Sequence, residues 1–165
     1  MSREMKKLLL ATVLMVTAFG LQVQAQRVAL GEKVPKIKIH AWLDNAVPKK
    51  AQYTYIEFVH STTVPCIESF MKIREYSDRL GPRLGVVFIT GEEPQNINGM
   101  LRDCIGEYVG TALDPTGEIF GAFGVTYVPF GVVVDSKGKA LWFGNPITIE
   151  DDFFDKLTTV KNDTH

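Results

Sequence analysis

The chain has 165 residues, 45% hydrophobic and 22% charged, with a formal net charge of -1. Such a composition is that of a globular protein. A charge so near zero supplies no field to gather nucleic acid or an anionic membrane surface.

Residues 1–25 have the pattern of a secretory signal. Arg3, Lys6 and Lys7 form a basic start, residues 8–21 are apolar, and Val23-Gln24-Ala25 is a small-x-small cleavage site. The apolar run is short for a membrane span of about 20 residues. No Cys lies near Ala25 to carry a lipid. Cleavage after Ala25 is expected to leave residues 26–165 as one domain, periplasmic or secreted. The membrane enters only if the segment stays uncleaved. Such a compartment is oxidising, yet the two cysteines, Cys66 and Cys104, are too few for a disulfide scaffold.

Alternation over residues 37–40 predicts a short strand, and Asp44, Asn45 and Pro48 place a loop in 43–52. Residues 53–59 are β-branched and aromatic, as suits a central strand. A hydroxyl-rich loop, 60–63, follows, with Thr63 as expected N-cap and Pro65 in the first helical turn, where a missing N–H costs little. The helix is expected over 67–80. Ile67, Phe70, Met71 and Leu80 should face the core, and Lys72, Glu75 and Asp78 the water. Gly81-Pro82 ends it. Residues 84–90 are a near-continuous apolar run, as in a strand covered on both faces. A helix is predicted from about 94 to 104 and a short strand over 109–113. Asp114-Pro115-Thr116-Gly117 marks a turn, and 118–123 a short helix. Residues 130–134 and 140–144 form two strands joined by the hairpin signal Asp135-Ser136-Lys137-Gly138. Thr148 is the expected cap of a last helix with Glu150, Asp151 and Asp152 in its first turn. Its apolar face is Phe153, Phe154 and Leu157, and residues 161–165 are an expected frayed tail. The order of elements predicts a three-layer α/β/α domain with a central mixed sheet flanked by helices.

The segment with most chemical content is Thr63-Val64-Pro65-Cys66. A lone thiol in the first turn of a helix, just past a buried strand, feels the partial positive charge of the helix N-terminus, which favours thiolate. Cys at 63 would complete a Cys-x-x-Cys pair, but Thr63 stands there.

These residues resemble the thioredoxin-like proteins of the TlpA type, exported bacterial thiol–disulfide oxidoreductases related to the AhpC/TSA and Redoxin groups. The words that carry the resemblance are LGEKVP (30–35), YIEF (55–58), Pro65-Cys66, DPTG (114–117), FGVTYVP (123–129) and VDSKG (134–138). The resemblance implies the thioredoxin fold and a role in cell redox homeostasis. It also implies that Cys66 matches the second Cys of Trp-Cys-x-Pro-Cys and Pro65 its Pro, while the first Cys falls on Thr63. The cis-proline of the family falls on Pro129, after Val128. There Pro65, Val128 and Pro129 would line a groove for extended peptide. Protein thiols, protein disulfides or extended peptides are the implied partners. No cofactor is implied.

Dithiol exchange needs a second sulfur to resolve the mixed disulfide, so ordinary CxxC cycling is excluded within this degenerate motif. Four readings stay open. Cys66 acts as a lone reactive thiol, with Thr63 as its hydrogen-bonding neighbour. In peroxiredoxins the word is Pro-x-x-x-Thr-x-x-Cys with an Arg over the sulfur; here Val59 replaces the Pro, and Arg102 is a candidate Arg. Alternatively, Cys66 and Cys104 pair, with Cys104 resolving. Alternatively, Cys66 is a buried small hydrophobe in a redox-inactive peptide- or partner-binding module. Finally, an outside thiol resolves residual exchange at Cys66. Enzymatic activity is therefore undecided at this point; if present, it is that of a thiol-dependent oxidoreductase. Glu57, inside the first central strand, is either the buried acid that such proteins carry beneath their site or an edge residue. His60 either tunes the thiol or is solvated, and Gly91-Glu92-Glu93-Pro94 is expected to be a solvated loop. The cysteines and histidines have no zinc-ligand spacing, so no metal site is expected.

Overall fold

A computed structural model describes residues 27–159. The signal-segment reading of residues 1–25, the tail and His165 lie outside those residues. Six strands form one sheet among the described residues: β1 (Ala41–Trp42), β2 (Tyr53–Phe58), β3 (Leu84–Thr90), β4 (Val109–Leu113), β5 (Phe130–Val134) and β6 (Ala140–Gly144). Their order across the sheet is β1-β4-β3-β2-β5-β6. β2, β3 and β4 run parallel, and β1, β5 and β6 are each antiparallel to their neighbours. Four α-helices accompany them: α1 (Val64–Leu80), α2 (Gly99–Asp103), α3 (Glu118–Phe123) and α4 (Phe153–Thr159). No helix among the described residues is long and apolar enough to cross a membrane.

Strand alternation divides the interior in two. Tyr53, Tyr55 and Val59 join Phe70, Ile73, Val86, Phe88 and Phe154 in a core beneath α1 and α4. Ile56 and Phe58 point the other way, into a core with Ile89, Phe123, Phe130 and Val132 on the α3 side. These are the three layers expected from the order of elements.

Helix α1 begins at Val64, three residues before its predicted start, because Pro65 fits the first turn. Its buried residues are Cys66, Ser69, Phe70, Ile73, Tyr76, Ser77 and Leu80, three or four apart. The buried stripe is therefore rotated from the expected one: Met71 is exposed and Ile73 takes the core position. Gly81, at φ 53°, ends the helix in a backbone conformation that side chains resist, and its N–H returns to the Ser77 carbonyl. Tyr55 meets the Phe154 ring edge-on and Tyr76 meets it at a tilt, which seats α4. Burying that Phe is worth about 1.5–3 kcal/mol.

Three expectations fail locally. Residues 37–40 are not a strand; Ile37 and Ile39 pack on the α3-side core without a neighbouring ladder, and pairing begins at Ala41. The helix expected over 94–104 is broken into a 3-10 turn, Pro94–Asn96, and α2. Ile97 is extended, and the Asn98 carboxamide caps a new start by accepting from the Met100 N–H at 2.9 Å. Thr148 caps nothing: it ends a 3-10 turn, its hydroxyl donates to the Asn145 carbonyl, and α4 starts only at Phe153, after the acidic run.

Gly131 on β5 pairs with Glu57 on β2, and a Cβ there would lie 2.5 Å from the Tyr55 hydroxyl. We therefore expect Gly131→Ala to lose about 2–3 kcal/mol, as overpacking of a rigid core does. Gly121→Ala, where a Cβ would meet nothing within 4 Å, should be neutral or gain up to about 1 kcal/mol in its helix. Urea midpoints of the two variants check the contrast.

Candidate functional site

The site forms where β2 gives way to α1. Phe58 pairs with Phe130 at the end of the β2–β5 ladder, and Val59 and Pro129 are the next residues beyond it on either segment. The Val128–Pro129 peptide is cis. The loop 60–63 then turns back on itself: the His60 carbonyl accepts from the Thr63 N–H at 3.2 Å and from its hydroxyl at 2.7 Å. Thr63 occupies the N-cap position, but its side chain does not cap the helix, contrary to the sequence expectation, because the hydroxyl is turned to that carbonyl. Thr63, Val64 and Pro65 are exposed.

Cys66, in the first turn of α1, is 0% exposed. Its sulfur receives the His60 backbone N–H at 3.5 Å. Burial raises the thiol pKa from its ordinary value of 9.0; the Thr63 hydroxyl and the His60 N–H oppose that shift, and the Glu57 and Glu92 carboxyls reinforce it. The thiol is thus held toward its protonated form, contrary to the thiolate expected at a helix start.

Cys104 is a separate free thiol. It lies at the end of α2, where its sulfur donates to the Met100 carbonyl at 3.2 Å and faces the Phe70 carbonyl at 3.8 Å. Burial pushes its pKa up to about 11, against the neighbouring Arg74. The two thiols are not joined, and neither environment favours the thiolate that exchange requires. Arg102, the candidate for a peroxidatic Arg, is committed elsewhere: its guanidinium pairs with Asp44 at 2.7 Å and with the Pro94 carbonyl.

Glu57 is not an edge residue. It is 0% exposed, on a strand flanked by β3 and β5. Its Oε2 accepts from the Tyr55 hydroxyl at 2.7 Å and from the Ser69 hydroxyl of α1 at 2.8 Å, while Oε1 has no partner. Burial raises its pKa to about 8, against those two hydrogen bonds. A buried carboxyl with one bare oxygen is cheaper as the neutral acid.

Glu92 differs from expectation. Its side chain is only 8% exposed, and it holds the site loop in place. The carboxylate accepts from the Ser61 N–H at 2.7 Å, the Ser61 hydroxyl at 2.8 Å and the Thr90 hydroxyl at 2.8 Å. The Ser61 hydroxyl in turn accepts from the Asn98 N–H at 2.8 Å. Sequence reading grouped Glu92 with its exposed neighbour Glu93. The available signal was a carboxylate two residues beyond a buried strand, in a chain that also carries a hydroxyl-rich loop at 60–63. The His60 ring is half exposed, 3.1 Å from the Thr62 hydroxyl and 3.7 Å from Glu92; its backbone, not its imidazole, meets the sulfur. Among the described residues no group of three or more His, Cys, Asp or Glu could hold a metal ion.

No protein-family model matches the chain, and no curated protein matches it in sequence. Solved structures do match it in shape. It is similar to the thioredoxin domain of a thiol–disulfide oxidoreductase from Bacteroides vulgatus, with TM-score 0.62 and 14% identity over 82% of this chain and 99% of that one. It is similar to a peroxidoxin from Mycobacterium tuberculosis, with TM-score 0.61 and 16% identity over 79% and 94%. It is also similar to an exposed lipoprotein thioredoxin from Streptococcus pneumoniae, with TM-score 0.52 and 18% identity over 72% and 89%. At these identities the likeness is one of fold: the chain has the thioredoxin fold, with its mixed sheet between helical layers.

Proposed function

We propose that this thioredoxin-fold chain is an extracytoplasmic binding module that docks extended peptide segments of partner proteins beside Val128 and Pro129. Its redox chemistry is limited to slow, single-cysteine reactions at Cys66. The observation that carries the reading is the complete burial of Cys66 beneath a loop whose outer position holds exposed Thr63. The outward-facing sulfur of a dithiol site is replaced by a hydroxyl, and the inward one is kept as a protonated, shielded thiol. Export rests on the basic–apolar–small pattern of residues 1–25. The exposed lipoprotein thioredoxin among the matching folds agrees with it.

Alkylation rates test the reading. Iodoacetamide at pH 8 should label Cys66 in the folded protein at least about tenfold more slowly than in urea, since only the exposed thiolate reacts. Labelling of folded Cys66 that is fast and already levels off below pH 7 would mean an accessible thiolate, and the oxidoreductase reading would replace this one.

A further inference from the structure

A second feature adjoins the site. A crevice of about 650 Å³ opens beside Val128 at the ends of β2, β3 and β4. Val59, Phe120 and Val128 supply apolar walls, and Glu92 and Asp114 supply carboxylates. The donors that hold those carboxylates are all neutral. Asp114 accepts the Ile119 and Phe120 backbone N–H groups at 2.9 and 3.0 Å, and Glu92 accepts Ser61 and Thr90. Such bonds fix position and, among the described residues, leave neither carboxylate with a Lys or Arg partner. No Lys or Arg among the described residues lines the crevice, and the His60 ring in its lining stands 3.7 Å from the Glu92 carboxylate.

An apolar-walled slot with two carboxylates and no Lys or Arg in its lining selects a particular side chain. Hydrocarbon walls want a long apolar stem, and the carboxylates want a cation at its tip. A Phe ring in the wall adds to the attraction for that cation. An acidic side chain meets repulsion, and a short polar one leaves the walls unfilled. We propose that the crevice is a specificity subsite for a lysine or arginine side chain of the docked partner. The inference rests on the peptide-docking reading above and names the chemistry of the segment docked. The peptide backbone passes Val128, and its basic side chain turns into the crevice.

The test is fluorescence anisotropy at low salt with three labelled hexapeptides of alanine differing at one central position, which is lysine, norleucine or glutamate. Norleucine keeps the apolar stem and lacks the charge. The lysine peptide should bind about tenfold tighter than the norleucine peptide, with glutamate weakest, and the gap should narrow as salt is raised. Thr116 is exposed at the crevice. Thr116→Lys supplies the cation internally without touching the Glu92 brace, so it should remove the lysine preference and leave norleucine binding within about twofold. Equal binding of lysine and norleucine peptides would overturn the subsite while leaving peptide docking intact. A lysine preference that survives in Thr116→Lys would also overturn it, since the cation would then sit elsewhere. Failure of all three peptides to bind would overturn both readings.

Discussion

Glu57→Gln should stabilise the protein by about 2–3 kcal/mol at pH 7 and remove a pH dependence from its unfolding. The folded protein keeps the Glu57 proton up to about pH 8, whereas the unfolded chain releases it near the ordinary value of 4.5. Between those limits the folded state binds more protons than the unfolded one. The contribution of Glu57 is therefore fully present below about pH 4.5 and is lost as pH rises through about 8, a fall on the order of 5 kcal/mol. Gln is neutral throughout. Its carbonyl oxygen can accept from Tyr55 and Ser69 as Oε2 does, and its amide fills the position of Oε1, which already lacks a partner. The measurement is the difference in urea unfolding free energy between wild type and variant from pH 5 to 9. The difference cancels the other titrating groups. Parallel curves would mean that Glu57 is ionised in the fold.

Thr63→Cys should convert the chain into a dithiol protein. Residue 63 is exposed, immediately before the first residue of α1, and Cys66 lies three positions on, in the first turn. An outer sulfur here would meet solvent and the positive end of the helix, conditions that lower a thiol pKa. With the buried Cys66 as intramolecular resolver, disulfide-reduction activity should rise on the order of a hundredfold over wild type, because resolution no longer waits for a second molecule. After exposure to oxidised glutathione, thiol counting on the denatured variant should find Cys104 alone. If residues 63 and 66 both remain free thiols, the shielding of Cys66 is set by the surrounding fold and not by the missing partner.

These two experiments act on different layers of the same site. Glu57 sits beneath α1 and governs what the interior tolerates. Thr63 sits at the start of α1, exposed to solvent. Ser69 links the layers: its hydroxyl joins α1 to the Glu57 carboxyl on β2. A serine on the core-facing stripe of a helix is legible as an oddity in the sequence, but nothing local names its partner twelve residues earlier.

The legibility of the chain follows the range of the interactions. Strands β3, β4, β5 and β6 fall on the residues predicted for them, since apolar runs bounded by turn residues are short-range signals. The αL turn residue Gly117 and the hairpin Asp135, whose carboxylate accepts the Lys137 and Lys139 N–H groups, are equally local. Boundaries failed where a longer-range partner intervened. Asn98 restarts a helix that periodicity ran through, and the buried stripe of α1 follows the sheet beneath it, placing Ile73 inward and Met71 outward. Glu92 was misread because its burial depends on Ser61, 31 positions away.

The sequence by itself determined the layered α/β architecture and the absence of a second sulfur at 63, both written in residue types and near-neighbour order, while the cis-proline candidate at 129 came from the family resemblance those residues carry. Only the tertiary structure decided the state of the surviving thiol. A helix start pulls a cysteine toward thiolate, while burial pushes it back. The burial comes from strands, a loop and a carboxylate brought together from across the chain, and desolvation by that assembly raises the thiol pKa above its ordinary value.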